Sequence, residues 1–547
     1  MARLFVIEAP GKIRALEAIL ARVGYEARVQ ATKGHLYQMP DKLTPVGIDS
    51  AWREFERKPR DLVTIDWLRK EAAAAHEVFI ATDADAEGDV IAWDVAETIK
   101  DLHPAPLRVR LKGMDDESVA EAIRLAGPVR KEDAIPGRTR AIVDRLIGAG
   151  FSRDGVAVGR VGTALLGLVL KDGGRVRKLR LCAPARDGGR PFMAETEIAA
   201  PLDDAMAQRL AALELPALEL AGGKPVDTPP PHTGDIMVRA GDRLGLSPGE
   251  VAKSMQNLYE GGRLSYPRAG SRGLSSAASR KIEAILKKAG YRVDGSAYAE
   301  KSQDDAHDAP YPIGKVDPGQ DPTRLGNDEG VRTMIARDLV KAGQKHTEER
   351  PVVQGLVPFL RQAGYSEEVV NFVAAMPWRR EVGPRYPGQE SWPESEVIER
   401  RPDTVLLERA IKNGLGRPST WARHIENFMS RGLVDGDLRL TAKGRAWADA
   451  SPRALLDVRV SAAIENACEK APASYMSDPD REPWELNAQR ILTSLPPELK
   501  QVVTGLVAHE PPRPKVDPVQ AYGLDRSAVS EAMEMGTQPQ YAPRVTE

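Results

Sequence analysis

Cysteine is nearly absent: Cys182 and Cys468 are the only two in 547 residues. Two thiols so far apart exclude a disulfide framework and a four-thiolate zinc site, and they point to a reducing, cytoplasmic setting. Long apolar runs are missing too. The longest, around Ala164–Leu170, falls far short of the roughly 20 residues that span a bilayer. The opening MARLFVIEAPGK reaches Glu8 and Lys12 with no apolar stretch or cleavage pattern, so no secretory signal is read. No G-x-x-x-x-G-K-[ST] string occurs, and Pro10-Gly11-Lys12 lacks its loop, which removes support for nucleotide-driven chemistry. The last absence is basic charge. The net charge is −2, whereas proteins that grip phosphates usually carry an excess of Lys and Arg.

What is present is ordinary globular material, 29% charged and 42% hydrophobic, long enough for roughly three to four domains. Leu4–Ile7 is a short apolar run ending at Glu8, followed by Ala9-Pro10-Gly11 and a helical pattern through Leu16, Ile19 and Leu20. The design recurs: Val78–Ala81 is apolar, Thr82 to Gly88 is an acidic turn, and Ile91, Val95 and Ile99 share one helix face. Such strand–loop–helix units predict a parallel sheet covered by helices. Lys131 to Leu170 is mostly helical, residues 171–190 are basic and Gly-rich, and a β-like region precedes Pro229-Pro230-Pro231. Helices continue to about residue 290, a Pro/Gly-rich span covers 377–393, and a last helical block leads into a Pro-rich tail.

Glu8 closes one strand, and Asp83, Asp85 and Glu87 lie just past another. In a parallel sheet both groups converge on the crevice at the strands' carboxyl ends. Carboxylates at spacing two suit Mg²⁺, which keeps several waters and shares itself with substrate phosphates. Lys12 at the following helix start adds a cation beside such a phosphate. The same acidic string also fits a solvated turn with helix N-terminal charge.

Eight segments in order resemble the type IA DNA topoisomerases. Glu8-Ala9-Pro10-Gly11-Lys12, Lys33-Gly34-His35-Leu36 and Ala81-Thr82-Asp83-Ala84-Asp85-Ala86-Glu87-Gly88-Asp89 are similar to that family's toprim domain. Arg140-x-x-x-Asp144-Arg145-Leu146-x-Gly148 and Gly159-Arg160-Val161 resemble its A-R-R-x-x-D-R-x-x-G and A-G-R-V-Q segments. Leu258–Arg268, reading LYEGGRLSYPR, resembles its nucleophile motif. His307-Asp308-Ala309 is similar to its H-x-A-I-x-P segment, and Gly416-Arg417-Pro418-Ser419-Thr420 matches its G-R-P-S-T. The chain departs from the pattern at Ala84, Ala86, Asp89, Ala141 and Gly162, and at Ala269-Gly270, where the family has Thr-Asp.

The resemblance implies a multidomain α/β and α architecture. It has an N-terminal toprim Rossmann-like parallel sheet, a helical nucleophile domain and an arch, together making a toroid. The expected division is 1–130 for the toprim domain, 131–193 with 401–500 for a helical DNA-binding gate domain, and 194–230 with 346–400 for a β-rich arch. Residues 231–345 form the domain carrying the tyrosine, and 501–547 a disordered tail. Tyr266 is the implied nucleophile. A phenol with a pKa near ~10 needs cations to stabilise its oxyanion, and Arg268 two residues on can also hold a phosphate. Glu8 is the acid for the displaced 3′-oxygen and later the base for resealing, Lys12 the neighbouring cation, and His307 a phosphate contact or proton shuttle. Mg²⁺ is the implied cofactor, on Asp83, Asp85, Glu87 and Glu8. Arg140, Asp144, Arg145, Arg160, Arg417 and Thr420 are the implied DNA contacts, with Arg140 and Asp144 also spaced for an ion pair. Trp93 and Trp421 read as core.

The activity so implied is ATP-independent, Mg²⁺-dependent cutting of one strand through a 5′-phosphotyrosine, strand passage and religation, relaxing or decatenating DNA. RNA stays open as a further substrate, a helicase or single-strand-binding protein as a partner, and no membrane is involved. Two alternatives stay open: a toprim nuclease or primase-like phosphotransferase with a structural Tyr266, and a degenerate topoisomerase that only binds single strands. Segments 171–190 and 260–292 are locally basic and answer the low net charge, so salt-sensitive binding is expected.

Overall fold

The computed structural model describes residues 3–54, 57–153, 155–300, 307–382 and 393–512. The chain forms two compact units. The first takes in the chain up to Leu111, Val119–Ser152 and the chain from Asn466; the second takes in Lys112–Ser118 and Arg153–Glu465.

The first unit is built on a five-stranded sheet in the order Ala27–Ala31, Arg3–Ile7, Glu77–Ile80, Leu107–Arg108, Gly127–Pro128. The first four strands run parallel and the last antiparallel. Leu4, Val6, Val78 and Ile80 are buried against Leu36, Tyr37, Ile65, Leu68, Ile91 and Val95, while Phe5 stacks on Phe79 with ring centroids 4.6 Å apart. Central strands buried on both faces explain runs with no polar alternation. Helix Ile13–Arg22 buries Leu16, Ile19 and Leu20, and helix Ala86–Ile99 buries Ile91, Val95 and Ile99, as their spacing predicts.

Helix Lys131–Phe151 lies across helix Ala86–Ile99 at Gly137, where a Cβ would come within 2.5 Å of Val90 and 2.8 Å of the Ala86 carbonyl. The expected tail begins too early at 501. Residues Pro497–Ala508 form a helix that buries Leu499, Val503 and Val507, and Gly150 faces Val502 and Leu506. An apolar stripe at helical spacing outweighed the surrounding prolines. The remainder of the tail, 513–547, lies outside the described residues, as does much of the Pro/Gly-rich span at 377–393.

The second unit has two small antiparallel sheets and a helical core. Strands Glu396–Glu399, Arg177–Ala183 and Phe192–Glu197 form one sheet, with Leu179, Leu181 and Phe192 packed against Leu356, Leu360 and Trp378. Glu219–Val226, His346–Val352 and Arg380–Val382 form the other. The helices Thr233–Leu244, Pro248–Glu260, Ser276–Lys288, Asn327–Ala342, Pro402–Lys412 and Trp421–Ser430 supply the main core. The tyrosine of interest lies in the connection between Pro248–Glu260 and Ser276–Lys288.

Candidate active site

The acidic group of the first unit sits where the sheet topology puts it. Strands Arg3–Ile7 and Glu77–Ile80 are parallel neighbours, and the Ala81 N–H continues their pairing to the Val6 carbonyl at 2.7 Å. Glu8 and the Asp83 loop therefore leave adjacent strand ends. A turn at Pro10–Lys12 then brings Lys12 back, and its Nζ lies 2.6 Å from Asp83 Oδ1. Both side chains are buried.

Asp85 caps helix Ala86–Ile99 by accepting the Gly88 N–H at 2.9 Å, with Glu87 and Asp89 in the first turn. Glu87 Oε2 is 2.8 Å from His35 Nε2, and Arg140 lies 3.6 Å from its other oxygen. Burial would raise the Glu87 carboxyl, but the His35 hydrogen bond and charge, with Arg140, bring it below its ordinary value; Asp144 opposes them.

A residue that pattern reading passed over organises this loop. The Arg108 guanidinium donates to the carbonyls of Thr82 (2.8 Å), Asp83 (2.8 Å) and Val109 (3.0 Å) and to Asp89 Oδ1 at 2.9 Å. Arg110 joins Asp89 to Asp133. Burial lifts the Asp89 carboxyl above its ordinary value in spite of both arginines. The only sequence signal was a pair of arginines, Arg108 and Arg110, alternating with the apolar residues of Leu107–Leu111.

Gly88 closes the loop so tightly that a Cβ there would come within 1.9 Å of the Asp83 carbonyl oxygen. Gly88→Ala is expected to destabilise the protein by about 1–3 kcal/mol in urea unfolding. An unchanged unfolding curve would show that the Asp83 turn yields freely.

All four candidate donors, Glu8, Asp83, Asp85 and Glu87, are hard oxygen ligands, and Mg²⁺ commonly takes one or two carboxylates together with phosphate oxygens. The donor chemistry therefore fits a divalent ion. Among the described residues no three Asp, Glu, His or Cys side chains are grouped to hold a metal, which leaves no preformed all-protein cage.

The expected DNA contacts are placed unevenly. Arg140 lies 3.2 Å from Glu469 as well as near Glu87. Arg145 straps a loop, donating to the carbonyls of Pro40 (2.7 Å), Pro45 (2.9 Å) and Lys42. In the second unit Arg160 is buried, 2.7 Å from Glu465 Oε2, while Arg417 donates to Glu465 Oε1 at 2.8 Å. As placed, Arg160 is buried, and Arg145, half-buried, holds a loop of the protein. Thr420 turns the chain into helix Trp421–Ser430, accepting the Arg417 N–H. Trp421 is core, as its setting suggests, donating to the Leu415 carbonyl. Trp93 is half-buried beneath Lys131.

Tyr266 lies in a pinned loop of the second unit. Its N–H donates to the Lys112 carbonyl at 2.8 Å; Ser265 and Tyr311 exchange two hydrogen bonds, each 2.9 Å long. The buried Tyr266 ring meets His307 at a centroid separation of 4.4 Å and the edge of Tyr259 at 5.6 Å. His307 thus packs on the phenol ring, while Arg268, two residues further along the chain, is half-buried and 3.4 Å from Gln256. Asp308 accepts from the Ser275 N–H and hydroxyl, fixing the start of the next helix. Asp304 and Asp305 lie outside the described residues.

The Toprim domain family matches residues 3–113, and a family described as DNA topoisomerase matches residues 220–351. DNA topoisomerase 1 of Aquifex aeolicus is 25% identical over 475 residues, covering 79% of this chain and 87% of that protein. These matches support the resemblance to the type IA DNA topoisomerases. Reverse gyrase 2 of Aeropyrum pernix is 28% identical over 415 residues, 68% of this chain but 33% of that much longer relative. Full-length topoisomerase I from Thermotoga maritima has the same fold, with a TM-score of 0.53 at 19% identity over 96% of this chain and 90% of that one. The two matched stretches of this chain hold the acidic loop and the tyrosine loop, one in each.

Proposed function

We propose that the protein changes DNA topology without a nucleotide by breaking and remaking one strand through Tyr266. The observation that carries the reading is Tyr266 itself, held in a pinned loop against His307 with Arg268 two residues on. The phenol gives up its proton to water as its oxygen attacks phosphorus, the P–O3′ bond breaks, and the 5′-phosphate is left on Tyr266, which takes a proton back on resealing. Arg268 offers a fixed positive charge to the phosphate oxygens. Glu8 gives a proton to the departing 3′-oxygen and takes it back when that hydroxyl attacks the phosphotyrosine. The phosphodiester energy is conserved in the covalent link, so resealing needs no further energy source.

Lys12 and Asp83 form a buried pair that holds the loop next to Glu8. Mg²⁺ would be held by one or two carboxylates drawn from Asp83, Asp85, Glu87 and Glu8, and when bound it would neutralise phosphate charge. DNA single strands are the proposed substrate, in the cytoplasm; among the described residues no helix is long and apolar enough to cross a membrane.

Incubation with negatively supercoiled plasmid, in Mg²⁺ or in EDTA and without nucleotide, tests the proposal. Relaxation in Mg²⁺ alone is expected. Binding with no change in linking number would instead support a single-strand binding protein, and nicks that are never resealed would support a nuclease.

A further inference from the structure

We infer that Thr233 is a positioning residue for the nucleophile, clamping the backbone beside Tyr266 through its hydroxyl. The inference rests on the proposed role of Tyr266. Residues Ala269-Gly270 offer no polar side chain after Arg268, so the segment must be held from elsewhere. Thr233, the first residue of helix Thr233–Leu244, does this with three hydrogen bonds. Its hydroxyl donates to the Pro267 carbonyl at 2.7 Å and accepts the Ala269 N–H at 2.8 Å; its own N–H donates to the Ala269 carbonyl at 3.1 Å. These bonds bracket Arg268 and fix the chain one residue past Tyr266.

The clamp is itself held rigid. His232 and Asp235 cap each other reciprocally at the helix start, and Arg272, from the far side of the same loop, grips Asp235 with two 2.8 Å bonds. His232 packs on Trp421 with centroids 5.8 Å apart. Thr233 is 1% exposed, so water does not substitute for its hydroxyl without repacking. A backbone held this way lets Tyr266 and Arg268 keep their relative placement, and displacement by ~1 Å at a reacting group can cost about 100-fold in rate.

The test compares Thr233→Val, which keeps shape and loses the hydroxyl, with Thr233→Ser, which keeps the hydroxyl. Each is assayed for covalent adduct formation on a labelled single-stranded oligonucleotide, for non-covalent binding of that oligonucleotide, and for thermal midpoint. Thr233→Val is expected to form adduct about 100-fold more slowly with binding close to wild type and a lowered midpoint, since the buried Ala269 N–H loses its acceptor, and Thr233→Ser to restore the midpoint and bring the rate to within about threefold. If Thr233→Val does not fold, Thr233→Cys, whose thiol is a weak donor and acceptor, takes its place with the same direction expected. Wild-type rates in the variant lacking the hydroxyl, or equal losses in it and Thr233→Ser, would overturn the inference. Absence of any adduct in the wild type would instead overturn the role of Tyr266.

Discussion

Tyr266→Phe is expected to abolish plasmid relaxation, lowering it by roughly 10⁴-fold or more, while leaving the fold intact. The reason is local. The ring of Tyr266 is buried against His307 and Tyr259, and phenylalanine keeps that packing. Its backbone bond to Lys112 does not involve the side chain. Loss of one hydroxyl costs about 1 kcal/mol in stability, but it removes the only atom of that side chain able to bond to phosphorus. Relaxation assays and urea unfolding on the same preparation separate the two effects. Relaxation by the phenylalanine variant at even a tenth of the wild-type rate would place the nucleophile elsewhere.

Arg108→Met is expected to have the largest effect on stability, about 3–5 kcal/mol, and to abolish relaxation as well. Burial works against the charge on both partners: the Arg108 guanidinium falls below its ordinary value, and the Asp89 carboxyl rises above its own. Removing the cation alone leaves Asp89 buried beside Arg110 only, and strips donors from the Thr82 and Asp83 carbonyls. Those carbonyls set the direction in which the acidic turn leaves its strand. Urea unfolding measures the loss. The double variant Arg108→Met/Asp89→Leu is expected to recover part of the stability, because both buried charges are then gone. Equal stability of Arg108→Met and wild type would show that Asp89 finds a partner without it.

The contrast between these two residues shows what sequence could convey. Tyr266 was legible because its neighbours carry a motif, and Glu8, Asp83 and Asp85 because apolar runs of strand length end beside them. Arg108 and Thr233 act through backbone groups distant in sequence, and no periodicity records a carbonyl's partner. His232 to Asp235 did carry a local trace, a polar residue three before an acid at a helix start.

Charge along the chain is incomplete for a related reason. Several arginines of the basic segments at 171–190 and 260–292 are paired in space: Arg177 meets Asp204, Arg180 meets Glu195 and Glu396, Arg263 meets Glu329, and Arg272 meets Asp235. Counting residues along the chain cannot see acids brought in from other elements. The Arg160–Glu465 pair is hidden in the same way, its partners lying 305 residues apart along the chain.

The central claim is a covalent bond between Tyr266 and the 5′-phosphate of a cut strand. Trapping the protein on a labelled single-stranded oligonucleotide with denaturant, digesting it and sequencing the linked peptide by mass spectrometry tests that bond directly. The expected product is the peptide LSYPR or a longer fragment containing it, joined through Tyr266 to the 5′ end of the downstream fragment. A link at any other residue, a link to the 3′ end, or cut DNA with no linked peptide would contradict it.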